Sequence, residues 1–423
     1  MASIGPDARG VKYQAALDRH LSKDLIDQQA RDCGHRWRER ALGPTMTVYL
    51  WIMQMLLCNL SMEGVRHLSQ KAVTAAAICQ AKARLPLQLL VRLNELLLAQ
   101  IDDGKPQPTW HGHRLLAGDG VCYYTPDTPP LRKKFGSKKP FGFPLLKVVT
   151  LFDLASGAML RQISLPHKRQ ESPVLGRLLR WARLGDVAVL DRAYPAFSNL
   201  CEARRRGGEL ITRLKKNLFA RAGTRRTVIK KLGKGDLLVL WRKPKERPKL
   251  MGRRAWKILP AQLTLRQISL TLKRRGWRTR HITVLTTLIG REAYPAADIT
   301  AVYGRRWEVE TNFRHLKTTL NLEHLRSETL AGVERELVVR SLAYNLVCLT
   351  MRQAARLLKV DSLRISFADT LHFLVLGSAT LSMEVIKINP QRPGRFEPRR
   401  LKRQNKNYLP LNCSRADARK KAG

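Results

Sequence analysis

The sequence predicts an α/β protein with a helical N-terminal part and a β-rich segment set into its second half. Up to about residue 108, apolar residues recur at steps of three and four, which is the period of a helix. From residue 113 onward, short runs rich in Val, Ile and Leu alternate with helical stretches, as is typical of an α/β core. Between residues 215 and 280, strand-like runs lie within a highly basic stretch. These three differences in periodicity and composition indicate separate structural regions.

A buried helix is predicted at residues 47–60, TVYLWIMQMLLCNL. The surrounding segment 41–62 carries no charged side chain, so a membrane span is one interpretation. Its continuously apolar part is only about a dozen residues, and a span needs about 20. A helix in a protein core is therefore favoured, and no membrane association is expected.

The next segment, VTAAAICQAKARLP, predicts a short helix that begins after Thr74 as N-cap and stops at Pro86. Gln80, Lys82 and Arg84 on this helix leave two interpretations open. One is the recognition helix of a helix-turn-helix, and the other is an ordinary amphipathic helix in a small bundle.

Five runs predict the strands of the core, and two stretches between them predict helices. The strand runs are HRLLAGDGVCYY (113–124), LLKVVTLFDL (145–154), AMLRQISLP (158–166), DVAVLDRAY (186–194) and GELITRL (208–214), and the helical stretches are SPVLGRLLRWARL (172–184) and SNLCEARRRG (198–207).

The stretch 215–280 carries 22 Lys or Arg residues against two acids. Strand-like runs such as DLLVLW and AWKILP, together with Trp241, Trp256 and Trp277, favour a folded β-rich domain with a basic face over disorder. The run RHITVLTTL then predicts another strand. Long helices are predicted from about Pro295 to Leu320 and from about Ala331 to Leu358.

Charge is the most unusual bulk property of the chain. Its 423 residues include 78 Lys or Arg and 33 Asp or Glu, for a net charge of +45. Such an excess favours a polyanionic partner, with nucleic acid as the first candidate, although general surface basicity is an alternative. The segment from Lys387 onward holds 12 basic residues and two acids, which predicts an extended or disordered tail that binds nucleic acid.

Seven cysteines are scattered singly, without CxxC spacing, which argues against a disulfide framework and against a structural zinc site. The first residues, MASIGPDARGVKYQ, contain no apolar core of a secretory signal. We therefore expect a cytoplasmic protein.

Two aspartates occupy positions that suggest chemistry. Asp119 lies in or just after an apolar strand and beside Gly120, and Asp191 ends the strand VAVLD. Strand ends are where ligands collect in open α/β sheets, and an isolated buried carboxylate needs a partner such as a divalent cation. Taken singly, each aspartate is also explained as a helix cap or turn former.

A third acid lies in AVYGRRWEVETNFRHLK, where Tyr303, Arg306, Glu310 and Lys317 follow at steps of three, four and seven. On an uninterrupted α-helix these side chains fall within about 60° of one another. A carboxylate beside two cations and a phenol suits metal and phosphate binding better than a core. The alternative for Glu310 is an ion pair with Arg306 or Arg314 one turn away.

With these residues in order, the chain resembles a DDE transposase of a bacterial insertion sequence, of the insertion-sequence-four family. That family is marked by Tyr, two residues, Arg, three residues, Glu, six residues, Lys, and the four residues named above match every position. The Asp-Gly motif is met by Asp119-Gly120. The Asp-Arg motif, followed by a small residue and an aromatic, is met by Asp191-Arg192-Ala193-Tyr194.

The resemblance covers about residues 110–350 and implies a ribonuclease-H-like core with a β-rich domain inserted between the second and third acids. The expected domains are a helical DNA-binding domain (1–108), the first part of the core (109–214), a basic insertion (215–290), the second part of the core (291–360) and a C-terminal region with a basic tail (361–423).

The resemblance also implies the activity. Asp119, Asp191 and Glu310 are expected to hold two Mg²⁺ ions, with Mn²⁺ as substitute, for DNA cleavage at the element ends and strand transfer to a target. Hard oxygen ligands without a Cys or His cluster agree with those metals. The expected DNA contacts are Tyr303, Arg306, Lys317, Arg314 and Arg192.

The partners that the resemblance implies are double-stranded DNA, both as terminal inverted repeats and as target, and a second copy of the chain in a synaptic complex. It further implies a bacterial protein associated with the nucleoid.

Two positions depart from the family pattern. Val121 stands where a hydroxyl residue usually follows Asp-Gly, and this leaves no hydroxyl role there. Some relatives use an aromatic residue in the strand before the final helix to form a DNA hairpin, and here that strand has His281 and Ile282. Hairpin formation is therefore left open.

Three other functions have partial support in the sequence. His111 and Arg114 give a His-x-x-Arg string of the kind found in tyrosine recombinases, for which Tyr123 and Tyr124 are the only nearby downstream nucleophiles. A non-catalytic DNA-binding relic of a transposase would bind DNA without metal-dependent cutting. A nuclease of the same fold would cut DNA and never join a 3′ end to a target.

Overall fold

The structure is a computed structural model, and it describes residues 17–69, 71–102, 110–138, 142–214, 226–248, 251–271, 281–376 and 381–390, with residues 417 and 420. The helices in these ranges include α1 (Lys23–Asp32), α2 (Pro44–Leu56), α3 (Met62–Arg66), α4 (Ala75–Arg84), α5 (Leu87–Asp102), α6 (Pro129–Phe135), α7 (Ser172–Leu178), α8 (Phe197–Arg205), α9 (Arg253–Lys257), α10 (Ala296–Gly304), α11 (Glu308–Arg314), α12 (Leu330–Leu357) and α13 (Phe367–Leu376).

The strands are β1 (Leu115–Tyr124), β2 (Leu145–Asp153), β3 (Met159–Pro166), β4 (Val187–Leu190), β5 (Glu209–Arg213), β6 (Arg226–Gly233), β7 (Asp236–Arg242), β8 (Gln262–Thr271) and β9 (His281–Thr286). They form one mixed sheet in the order β3-β2-β1-β4-β5-β9-β8-β7-β6. The pair β4–β5 is parallel, whereas β5–β9, β9–β8, β8–β7 and β7–β6 are antiparallel. The mixed α/β class predicted from the sequence is confirmed.

The chain divides into two compact units, and the first comprises residues 1–118, 150–162 and 305–390. Its centre is α12, which is buried around nearly its whole circumference and packs against α5 and α2. Two of the polar side chains on α12 are paired in its interior: Asn345 donates to the Met159 carbonyl and to Asn94, and Glu336 accepts from Arg340. A helix that is buried on all sides needs such pairing, because an unpaired buried polar group costs about 1–3 kcal/mol.

In the same unit, α4 packs its buried face against α2 and α3 through a small apolar cluster that includes Leu50, Val65 and Ile78. Thr74 caps α4 by accepting a hydrogen bond from the Ala77 amide at 3.1 Å, as the sequence predicts. The described part of residues 17–102 contains helices and no strand. Whether this region is a separate DNA-binding domain stays a prediction, as do the other domain boundaries.

The second unit comprises residues 119–149, 163–304 and 391–423 and contains β4 to β9 in full. Arg266 is fully buried there and forms a bidentate pair with Asp236, with its third nitrogen donating to the Tyr294 carbonyl at 2.6 Å. The outermost strand, β6, is largely exposed and carries Lys230 and Lys231, which discourage pairing with another chain at this edge.

Two predicted elements differ from the observed ones. AWKILP does not form a strand, because its first three residues end α9, where Lys243 donates to the carbonyls of Trp256 and Leu259. The long helix predicted from Pro295 to Leu320 is also not continuous. It runs as α10, a 3-10 turn at Arg305–Trp307, α11, and a π-helix at His315–Thr319.

Some predictions fall outside the described residues. Trp277 and much of the basic charge of the 215–280 stretch lie there, as does the basic tail after residue 390, apart from residues 417 and 420. Among the described helices, none combines the length and the apolar character that crossing a membrane requires.

Candidate active site

Asp119 lies in the middle of β1, where the strand passes from a buried to a half-buried stretch. Its Oδ1 atom accepts hydrogen bonds from the Gly120 amide at 2.8 Å and from the Tyr194 hydroxyl at 3.2 Å. Among the described residues, no hydrogen bond ends on Oδ2. One carboxylate oxygen is therefore held in place, and the other is available to a ligand.

The electrostatic setting of Asp119 favours a cation. Burial raises the pKa of its carboxyl group, and the nearby negative charges of Asp191 and Glu171 raise that pKa further. The hydrogen bonds from Gly120 and Tyr194 oppose this shift only in part. Because each cause of the raised pKa reflects an unfavourable negative charge, a bound cation would stabilise the ionised carboxylate.

Tyr194 joins two acids through one hydroxyl group. Its side chain is fully buried, and the hydroxyl donates to Glu171 Oε2 at 2.7 Å while lying 3.2 Å from Asp119 Oδ1. Burial, followed by the charges of Asp119 and Glu171, raises the pKa of the Tyr194 phenol far above its ordinary value. The phenol therefore keeps its proton and acts as a hydrogen-bond donor.

Glu171 is a member of this site that sequence reasoning missed. It occupies the N-cap position of α7, yet its side chain makes no capping hydrogen bond. Instead, Oε1 lies 3.1 Å from Lys147 Nζ, and Lys147 also donates to the Arg169 carbonyl at 3.0 Å. An acid before a helix ordinarily predicts a cap, so the sequence carries no signal for this role.

Gly120 leaves room for the Glu171 carboxylate. A Cβ atom at position 120 would lie 2.5 Å from Glu171 Cδ and from Oε2, far inside van der Waals contact. The glycine of the Asp-Gly motif therefore leaves the space that the Glu171 carboxylate occupies, and a side chain at this position would displace that carboxylate.

Asp191 follows β4 directly and is half-buried. Its backbone carbonyl accepts from the Tyr194 amide at 3.0 Å and from the Thr212 hydroxyl at 3.1 Å, which fixes the turn after the strand. Asn199 donates to the Tyr194 carbonyl at 3.0 Å and ties the same turn to α8. The predicted acids Asp119 and Asp191 are thus brought together within one unit, whereas the neighbouring Arg192 is exposed.

Glu310 belongs to the other compact unit, on α11. Half of its side chain is exposed, and Oε1 lies 3.5 Å from Nη2 of Arg306. Arg306 is buried and its guanidinium group lies 4.7 Å from the centroid of the Trp307 ring. The predicted pairing of Arg306 with Glu310 is therefore present.

The other signature residues do not share one exposed stripe, because the segment changes helical pitch twice. Tyr303 is largely buried on α10, and Lys317 in the π-helix pairs with Glu323 at 3.0 Å. Arg314, one turn after Glu310, is exposed. The uniform α-helix on which the 60° sector depends is therefore not present, whereas the DNA contacts of these residues stay a prediction.

Comparison with known proteins agrees with the motifs. A family model described as the transposase DDE domain matches residues 110–346, which is more than half of the chain. The chain belongs to the DDE transposase family. Asp119, Glu171, Asp191 and Glu310 all lie within the matched region of this family domain.

Two Escherichia coli K12 relatives give the extent of the similarity. The transposase InsG of the insertion sequence element IS4 is 30% identical to this DDE family member over 293 residues, which cover 68% of the chain and 63% of InsG. A second protein, named InsZ, is 28% identical over 147 residues, or 32% of the chain and 47% of InsZ. The chain thus spans less than two thirds of the length of either relative.

Among solved structures, a piggyBac transposase in a synaptic complex with hairpin DNA matches with a TM-score of 0.48 and 8% identity. The match covers 86% of this DDE family chain and 79% of the piggyBac chain. A similarity of this size does not establish a shared fold.

The donor atoms suit a divalent cation. Within the described ranges, no three His, Cys, Asp or Glu side chains already form a cation-binding group. Asp119 nevertheless offers an oxygen that accepts no hydrogen bond, beside the like charge of Asp191, and carboxylate oxygens are the ligands that Mg²⁺ and Mn²⁺ prefer. In this DDE transposase family member, the two aspartates therefore fit a metal site.

Proposed function

We propose that the chain is a transposase that cuts DNA at the ends of an insertion sequence and transfers the new 3′ ends to target DNA. The observation that carries the proposal is Asp119. Its carboxylate is held by Gly120 and Tyr194 on one oxygen, leaves the other open, and lies close to Asp191 in a chain of the DDE transposase family.

The reaction has two steps. In the first, water attacks the phosphorus atom at the element end and displaces the 3′ oxygen, which leaves a 3′ hydroxyl and a 5′ phosphate. In the second, that 3′ hydroxyl attacks a target phosphodiester, so that one phosphodiester forms as another breaks. The second step therefore needs no external energy source.

Asp119, Asp191 and Glu310 are the residues that would hold the ions, which we propose to be two Mg²⁺, replaceable by Mn²⁺. When bound, such ions make the attacking oxygen more nucleophilic and stabilise the negative charge of the leaving oxygen. Gly120 and Tyr194 keep the Asp119 carboxylate in one orientation, and Arg306 does the same for Glu310.

Basic side chains near the acids are proposed to hold the DNA backbone. Arg192 and Arg314 are exposed and directly accessible to phosphate groups. Lys317 could exchange Glu323 for a phosphate, because its ion pair is partly exposed and such pairs are weak. Tyr303 and Arg306 are buried, so their contribution to DNA contact would come through the residues that they support.

We also infer that β1 to β5 form a ribonuclease-H-like core and that β6 to β9 form an inserted β-rich region. The support is that β6 to β9 are consecutive in the chain, pair antiparallel with one another, and occupy residues 226–286. These residues lie within 215–290, the bounds expected for the basic insertion.

In the N-terminal helices, we propose that the exposed face of α4 reads the terminal inverted repeats. Gln80 and Arg84 lie on that face together with the small residues Ala76 and Ala83. Gln and Arg are the side chains that pair with adenine and guanine edges, and small neighbours allow close approach in the major groove. Because strand transfer joins two ends, we expect two copies of the chain to act together on DNA.

The decisive experiment is cleavage and strand transfer on a plasmid that carries the DNA flanking this gene, with and without Mg²⁺. Wild type is compared with Asp119→Asn, Asp191→Asn and, as a matched control, Asp24→Asn on the exposed face of α1. Metal-dependent cuts at the element ends that only the first two variants lose would support the proposal.

Two other results would contradict it. Salt-sensitive DNA binding without cuts in Mg²⁺ or Mn²⁺ would leave a non-catalytic DNA-binding protein. Metal-dependent cuts that never yield joined products would leave a nuclease.

A further inference from the structure

We propose that Glu171 is a positioning residue for the metal site, and that it acts on Asp119 through the hydroxyl group of Tyr194. The inference rests on the proposed metal-dependent function and assigns a role to an acid outside the Asp, Asp, Glu triad.

The first argument is the number of protons. The Tyr194 hydroxyl has one proton and faces two carboxylates, at 2.7 Å for Glu171 Oε2 and 3.2 Å for Asp119 Oδ1. It cannot donate fully to both, and the shorter distance assigns the proton mainly to Glu171. The Tyr194 hydroxyl thereby makes only a weak contact with Asp119, whose Oδ1 is held mainly by the Gly120 amide, and the carboxylate keeps most of its electron density for a cation.

The second argument is that Glu171 is fixed from several directions. Lys147 lies 3.1 Å from Oε1, and the absence of a side chain at Gly120 lets the carboxylate lie against β1. Glu171 also forgoes the capping bond that its position before α7 would allow. An acid that merely capped the start of a helix would have no need of these contacts.

The third argument is that Tyr194 is rigid enough to transmit the effect. Its ring is fully buried, its amide donates to the Asp191 carbonyl, and its own carbonyl accepts from Asn199. The hydroxyl therefore stays between the two acids. A change at Glu171 alters which oxygen receives the proton rather than moving the ring.

Replacing Glu171 by Gln preserves shape and removes the charge that attracts the phenol proton. Hydrogen bonds to charged acceptors are stronger than those to neutral ones, so the Tyr194 proton shifts toward Asp119. Asp119 then binds a cation less well. Outer partners of metal ligands typically change metal affinity by about 10- to 100-fold, and we expect a loss of roughly tenfold.

The test measures Mn²⁺ binding to the whole chain by electron paramagnetic resonance of the free ion, with and without element-end DNA. The variants are Glu171→Gln, Tyr194→Phe and the double variant, with melting temperatures checked for each. Glu202→Gln on α8 is the matched control, because that carboxylate is also largely buried and is paired with Arg205 at 2.8 Å. DNA cleavage is measured in parallel as a function of Mn²⁺ concentration.

We expect Glu171→Gln to raise the Mn²⁺ concentration for half-saturation about tenfold, while the rate of cleavage at saturating Mn²⁺ changes by less than about threefold. In the Tyr194→Phe background, Glu171→Gln should have little further effect. The control should bind Mn²⁺ like wild type.

Three results would overturn the inference. Unchanged Mn²⁺ binding in Glu171→Gln would remove any role at the metal site. An effect that persists in full without the Tyr194 hydroxyl would make Glu171 a direct ligand. A loss of binding that follows only a lower melting temperature would make it a structural residue. Failure of the wild type to cut DNA would refute the proposed function and leave the Mn²⁺ comparison as the test of Glu171.

Discussion

Lys82 is a charged side chain in the interior of the N-terminal helices. Its ammonium group donates to Gln54, lies 3.3 Å from the Met62 sulfur, and lies 5.0 Å from the centroid of the Trp51 ring. Burial lowers the pKa of Lys82 to about 8. The folded protein therefore holds this proton less tightly than the unfolded chain, so protonation of Lys82 favours unfolding.

A first prediction follows for Lys82→Met. The destabilisation by the buried charge is fully present below about pH 8 and declines as the pH rises toward the ordinary lysine value of about 10.5. Relative to Lys82→Met, the stability of wild type should increase by roughly 2 kcal/mol between pH 7 and pH 10. Hydrogen exchange of the α2 and α4 amides measures this difference. The exposed Lys71→Met is the control, and an equal pH response in both variants would contradict the prediction.

Arg306 and Arg314 lie one turn before and one turn after Glu310 and have different predicted roles. Arg306 positions the Glu310 carboxylate, and Arg314 binds DNA. Arg306 is buried beside Glu310, so Arg306→Lys should lower cleavage and strand transfer together by roughly 10- to 100-fold through misplacement of the carboxylate, with a smaller loss of DNA affinity than Arg314→Ala causes. Arg314 is exposed, so Arg314→Ala should weaken DNA binding and reduce its logarithmic salt dependence by about 1. Fluorescence anisotropy and single-turnover cleavage separate the two effects. Equal losses of DNA affinity in both variants would refute the distinction.

Among the secondary-structure elements, helix α4 shows that residues close together in the sequence need not lie on the same helical face. Gln80, Lys82 and Arg84 alternate along the chain, but at about 100° per residue the middle one points away from the other two. Lys82 accordingly enters the interior, and Gln80 and Arg84 stay exposed. The interpretation of α4 as an amphipathic helix in a bundle holds for its packing, and only its exposed face is left to meet DNA.

This face yields a prediction for DNA recognition. Gln80→Ala and Arg84→Ala should each cost about 1–3 kcal/mol of discrimination between element-end DNA and a scrambled duplex. Binding to the scrambled duplex should change little for Gln80→Ala. Competition binding with both duplexes measures the ratio, and Lys71→Ala serves as a control outside the helix. A uniform loss on both duplexes would place these side chains on phosphates instead of bases.

The signature segment illustrates the limits of a uniform helical period. The spacing of Tyr303, Arg306, Glu310 and Lys317 identifies the segment, but it does not reveal the 3-10 turn and the π-helix that interrupt the α-helix. In the folded chain, His315 at the start of the π-helix stacks on Phe367, with 4.2 Å between the ring centroids. The periodicity of the sequence does not predict this tertiary contact.

For the whole molecule, the net charge of +45 predicts the salt response of DNA binding. If six to ten phosphates are contacted, affinity should fall by about 10³- to 10⁵-fold between 50 and 200 mM salt. Anisotropy titrations with element-end DNA over this range measure the slope. A tenfold change or less would show that most of the positive charge faces solvent and not DNA.

Across the molecule, the strands β1 to β5 and the helix α12 are predictable from sequence, because their runs of Val, Ile and Leu match the periods of buried elements. The helix α9 is not, because a short apolar run such as AWKILP fits either period, and the contact of Trp256 with Phe197 exists only in the folded chain. In the site, Asp119 and Asp191 are marked by their positions at strands. Glu171 is not marked, because its partner Tyr194 is 23 residues away and the link exists only after folding.

The antiparallel pairing of β5 with β9 also determines how long β5 lacks its partner strand during synthesis on the ribosome. Ile211 pairs with Thr286, which is 75 residues later in the chain. At about 5–20 residues per second, the outer edge of β5 waits roughly 4 to 15 s for its partner strand to emerge. During that interval its backbone amides and carbonyls are open to wrong partners, so this edge is where newly made chains need protection by a chaperone or by slow, dilute expression.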